Sequence, residues 1–128
     1  MRFEIDLFSG QPNPSWVLTE CEVLEVQRRL GGLHASATNV LPAQLGYRGL
    51  RGVVEPASAD TQRPASADEV VAIELGCGVV RVTRRNGAVE FLAETGRSVE
   101  QWLLTTAQGK IDEAIRNVAV ADVGRPCP

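Results

Sequence analysis

Residues 79–93 constrain this chain more than any other stretch. A run rich in β-branched residues, Val79 to Arg85, and a mainly apolar run, Ala88 to Ala93, are separated by Asn86-Gly87. Asn-Gly tolerates the two successive positive φ angles of a type I′ turn, whose twist suits a two-residue hairpin. The segment therefore predicts antiparallel strands in a defined register. Val82 falls opposite Phe91, Val80 opposite Ala93 and Arg84 opposite Val89, which makes Val80, Val82 and Phe91 the expected core face. Thr83–Glu90 and Arg81–Leu92 share the other face, leaving Arg81 and Glu90 as diagonal neighbours able to pair.

A second strand signal opens the chain. Phe3, Ile5 and Leu7 alternate with Arg2, Glu4 and Asp6, the two-residue period of a half-buried strand. Tyr47 to Glu55 and Glu69 to Leu75 read as further strands. Gly49 and Gly52 mark a bulge or a close backbone approach in the first of these. Tyr47, Arg51 and Val53 are expected on one face of it, and Arg48, Leu50 and Val54 on the other.

The helix signals are local. Thr19 and Glu22 form a capping box, and Leu18 and Val23 have the spacing of a hydrophobic staple. Val23, Val26 and Leu30 make an inner stripe, with Leu24 beside it, and Gly31-Gly32 supplies a left-handed stop. Ser98-x-x-Gln101 is a second capping-box pattern, followed by Trp102, Leu103, Thr106 and Ala107 as an inner stripe. Gln108-Gly109 interrupts the helix, and Ile111, Ala114, Ile115 and Val118 resume helical spacing.

The order β-α-β-β-β-β-α predicts a single α+β domain over residues 1–128, a mostly antiparallel sheet of about five strands covered by two helices. The first strand is expected to return beside a parallel partner through a right-handed crossover. The near-duplicate segments Pro56–Asp60 and Pro64–Asp68 define a mobile loop at about 56–68, and an irregular tail is expected at about 119–128.

Composition narrows the function classes. A net charge of −3 argues against a general nucleic-acid binder, and no apolar run is long enough to span a membrane. Cys21, Cys77 and Cys127 are an odd number without CxxC spacing, which favours a reducing cytoplasm. One histidine, His34, and no Cys/His cluster leave no metal site to expect, and no cofactor motif is present. Cys77, between two glycines, is an exposed thiol on paper. Without a neighbouring base or cation in sequence it reads first as a packing residue.

The remaining candidate is Ser9-Gly10-Gln11-Pro12-Asn13-Pro14-Ser15-Trp16, expected to connect the first strand to the first helix. Helix N-termini offer free amides, and the two prolines stiffen the approach. Ser9, Gln11 and Asn13 supply polar contacts and Trp16 an aromatic wall; Tyr47, Arg48 and Arg51 are the strand residues expected to meet them. The opposing reading is that prolines and Asx-type bonds merely shape the turn while Trp16 anchors it in the core. Three functions stay open. The first is a non-catalytic binding or accessory domain for a small polar ligand or partner peptide. The second is a small cofactor-independent enzyme with acid–base groups near Tyr47 and Arg51. The third is a structural homo-oligomer, most simply a homodimer.

Overall fold

The computed structural model describes residues 1–8, 13–37, 46–54 and 69–124. Its strands are β1 (Arg2–Phe8), β2 (Ser15–Val17), β3 (His34–Ala35), β4 (Gly46–Val53), β5 (Val70–Gly76), β6 (Val79–Arg84) and β7 (Val89–Ala93). Its helices are α1 (Glu20–Gly31), α2 (Ser98–Thr106), preceded by a 3-10 turn at Thr95–Arg97, and α3 (Glu113–Val123). The strands form one seven-stranded sheet in the order β2-β1-β4-β5-β6-β7-β3. Three helices thus replace the two expected. Residues 119–123, expected to be irregular, complete α3. The segments 56–68 and 125–128 lie outside the described residues.

Every neighbouring pair of strands is antiparallel, so the expected parallel return of the first strand does not occur. The chain doubles back at once: β2 pairs with β1 through Phe3 opposite Trp16, and β4 takes the other edge of β1. The short β2 was hidden in the sequence because a three-residue strand has too few positions to show a period.

The core lies on one face of the sheet. Phe3, Ile5, Leu50, Ile73, Leu75, Val80 and Val82 meet Val26 and Leu30 of α1, Val99, Leu103 and Leu104 of α2, and Ala119 and Val123 of α3. Helix α1 forms as its caps predict: Thr19 and Glu22 exchange both bonds of the capping box. Gly32, however, closes it at φ −91°, in the right-handed region. Leu24 stays exposed at 66%. In α3, Asp112 caps Ala114 N–H, and this start places Ile115, Ala119 and Val123 inward while Val118 is exposed.

The hairpin register is one residue away from that expected. Val82 is opposite Glu90, Val80 opposite Leu92 and Arg81 opposite Phe91. Asn86 does not adopt positive φ; Gly87 does, at 89°, and the Asn86 side chain accepts the Ala88 N–H at 2.9 Å. With the Gly87 N–H bonded to Arg84 O, the connection is a three-residue loop ending on a left-handed glycine. A one-residue slip moves a strand's side chains to opposite faces. Phe91 accordingly leaves the expected core face for the Arg81 side, and Leu92 joins the core. The doubly positive-φ turn occurs in the preceding hairpin instead, at Cys77 (φ 50°) and Gly78 (φ 80°).

Candidate functional site

The proline-containing loop is a hairpin connection and not a strand-to-helix connector. Leu18 N–H bonds to O of Met1, the residue before β1, so α1 starts beside the beginning of that strand, at the opposite end from the loop. The expected help from helix amides is therefore absent there, and one of those amides, that of Glu22, is engaged by Thr19 in any case. Trp16 is buried rather than presented to solvent: its Nε1–H donates to Thr106 Oγ1 at 2.8 Å and its ring lies 6.2 Å from that of Phe3. Ser15 Oγ accepts from Arg2, and Asn13 is half-buried with a partner of its own. Ser9 and Gln11 lie outside the described residues.

Strand β1 sits between β2 and β4, so the two halves of the expected site flank one strand. Leu7 aligns with Tyr47 and Phe8 with Gly46, which brings the start of β4 to the end of β1. Between Asp6 and Leu7 the register shifts, with Arg48 as the extra residue. Arg51 faces its own chain's carboxylates, Glu4 at 3.5 Å and Asp6 at 3.6 Å, which hold its partly exposed guanidinium in place on the sheet.

Three other places emerge from the structure. The first is a cavity of about 420 Å³ beside the last turn of α1. Leu30, Leu33, Val70, Val82 and Leu92 make its apolar surface, with Gln27, Glu69, Arg84 and Glu90 among its polar groups. Arg84 pairs with Glu90 at 2.8 Å across this wall; Arg81, expected as the partner of Glu90, pairs with Glu74.

The second is a buried charged cluster beneath α2. Arg97, itself in the left-handed region at φ 55°, makes a forked contact to fully buried Glu100 at 2.8 and 3.0 Å. Its guanidinium also donates to Asp122 O. Glu94 accepts the Glu100 N–H through Oε1, while its other oxygen has no hydrogen-bond partner among the described residues. Burial, and then the adjacent Glu100 carboxylate, push the Glu94 carboxyl up to about 8, against the opposing influence of the Glu100 N–H and Arg97. The expected Ser98–Gln101 capping box is absent; Arg97 occupies the N-cap position and Gln101 donates to Gly96 O. Glutamates buried this deeply defy the usual surface preference of the residue, so the amphipathic pattern gave no sign of them.

The third is the sheet face turned away from the helices. The strand register aligns Glu4, Arg51, Glu74 and Arg81 in one row across β1, β4, β5 and β6. The neighbouring row holds Val17, Arg2, Val53, Ala72, Thr83 and Val89. Val17, Val53 and Val89 are 46%, 44% and 48% exposed. A small recess of about 100 Å³ between Arg2, Glu4, Arg51 and Val53 opens on this face.

Cys77 is disulfide-bonded and so is no thiol nucleophile, while Cys21 is free and exposed. The bond withdraws the cysteine argument for a cytoplasmic setting; Cys127 lies outside the described residues. Among the described residues no three His, Cys, Asp or Glu side chains are grouped to hold a metal ion, and no helix is long and apolar enough to cross a membrane. Compared with protein-family models, curated proteins and solved structures, the chain matches none.

Proposed function

We propose that this chain is a non-catalytic interaction domain whose binding surface is the sheet face turned away from the helices. The observation that carries the reading is the pairing, on that face, of an ordered row of alternating charges with a row containing three exposed valines. A patch with apolar contact area and fixed charges beside it has the composition of a surface that selects a protein partner. Binding by addition of a peptide strand is less favoured, because the outermost strands β2 and β3 offer only three and two residues of ladder. The loop at 9–16 contributes to this reading only through its last residues, Ser15 and Trp16, which hold β2 at one margin of the face.

The test is site-specific photo-crosslinking in the cells that produce the protein. A photoreactive side chain at Val53 is expected to give a discrete adduct, and the same group at exposed Leu24 on α1 is expected to give none. Equal labelling at both positions, or no adduct at Val53, overturns the reading.

The cavity beside α1 favours a second reading, a small ligand with an apolar body and a polar end. Its volume of about 420 Å³ falls in the range of ligand sites. A thermal-shift screen of metabolites, repeated with Leu92→Trp to fill the space, tests it. Hits that persist in the filled variant exclude this cavity as their site.

A further inference from the structure

Resting on the interaction-surface reading, we infer that the partner on this face is a second copy of the same chain. The row Glu4, Arg51, Glu74, Arg81 alternates in sign and has an even number of members, so reversing its direction inverts the charge at every position. A two-fold axis lying along the strands, between β4 and β5, performs that reversal. It sets Arg51 against Glu74 of the second copy and Glu4 against Arg81. The two-fold repeats each contact, as an isologous interface requires.

The neighbouring row obeys the same operation independently of charge. Counting outward from the axis, β4, β1 and β2 on one side match β5, β6 and β7 on the other. Val53 then meets Ala72, and Val17 meets Val89, so the exposed valines at the two margins cover one another. Packed sheets keep their strands within about 30° of alignment, which this operation preserves. An axis along the rows would instead stack each charge on its own copy.

The size of the face sets the strength of the dimer. Six strands about 4.8 Å apart and five residues about 3.4 Å apart give roughly 500 Å² per copy. The total of about 1,000 Å² is at the lower limit for a specific interface. The association is therefore weak and concentration-dependent, with the charges fixing the arrangement and the valines supplying contact.

Sedimentation equilibrium on the full chain tests this with Arg51→Glu and Glu74→Arg. The wild-type protein is expected to pass from monomer to dimer between micromolar and millimolar concentration. Each variant alone places like charges across the axis and is expected to dimerise at least about tenfold more weakly. In an equimolar mixture the two introduced charges, of opposite sign, face one another across the axis, and the native Glu74 of one variant faces the native Arg51 of the other. The mixture is expected to recover dimer as the mixed species, a rescue that misfolded variants cannot give. A wild-type chain that stays monomeric at about 1 mM, variants that dimerise like wild type, or a mixture no stronger than its components overturns the second copy. The Val53 crosslink separates the two readings: an adduct of twice the chain mass supports the dimer, and an adduct of another mass overturns it while leaving the interaction surface standing.

Discussion

The ring of Phe3 occupies the space that a side chain on Gly52 would need. A Cβ at Gly52 would lie 2.4 Å from the ring's Cζ and 2.5 Å from Cε1. The two residues are register partners on β1 and β4, so the glycine is a slot cut for the ring. Gly52→Ala is expected to destabilise the fold by about 1–3 kcal/mol through overpacking, and Phe3→Ala by about 3–5 kcal/mol through the cavity it leaves. In the Phe3→Ala background the alanine at 52 is expected to cost much less. Urea denaturation of the four proteins in this cycle measures the coupling; additive effects would contradict the slot.

Glu94 ties stability to pH. Its carboxyl titrates near 4.5 when unfolded and about 8 when folded. Between those values the folded chain holds a proton that the unfolded chain has released, so this contribution is complete at low pH and declines as pH rises to about 8. The whole effect is up to about 5 kcal/mol. Glu94→Gln keeps an oxygen for the Glu100 N–H and removes the ionisation. The variant is expected to match wild type near pH 5 and to exceed it in unfolding free energy at pH 9. An unchanged difference between the two pH values would show that Glu94 titrates alike in both states.

The Trp16–Thr106 bond joins β2 to the end of α2. Thr106→Val leaves a buried indole N–H without its acceptor, a loss of about 1–3 kcal/mol. With Trp16→Phe in place, the same valine is expected to cost less than about 1 kcal/mol, the level of an ordinary packing adjustment. Thermal and urea unfolding of the single and double variants gives the comparison.

Asn86 holds the β6–β7 turn through its side chain and not through a left-handed backbone. Asn86→Gly, which a type I′ turn would accept readily, is expected to destabilise the hairpin by roughly 0.5–1.5 kcal/mol by removing that bond. Gly87→Ala is expected to be worse, since φ 89° strains any residue with a Cβ. Cross-strand NMR contacts between Val82 and Glu90, in place of Val82 and Phe91, report the register directly.

Features encoded within a few residues were legible in the sequence. The α1 capping box, the alternation of β1, and the Gly109 break with the helix that follows it each depend on near neighbours. The glycines of β4 were also readable as signs of close approach: Gly49, at φ 132°, lies against the Leu75 carbonyl, as Gly52 does against Phe3. What failed needed a choice between two local solutions or a distant partner. Asn-Gly suits both a two-residue and a three-residue turn, and the Asn86 side-chain bond selected the second. Trp16 could have lined a site or the core, and its bonding partner lies 90 residues on. The row Glu4–Arg51–Glu74–Arg81 exists only once its strands have been registered against one another.

The strand order also bears on how the chain is made. β1 leaves the ribosome before either of its neighbours, yet it is an interior strand whose second neighbour, β4, ends at Val53. Trp16 then waits for Thr106, 90 residues on, before its indole is satisfied. Among the described residues, the N-terminal half consequently has only α1 to lay over its apolar face until α2 and α3 follow. Folding is a closing event that waits for α2 and α3, and during synthesis Phe3, Ile5 and Trp16 are surfaces for a chaperone before they are a core.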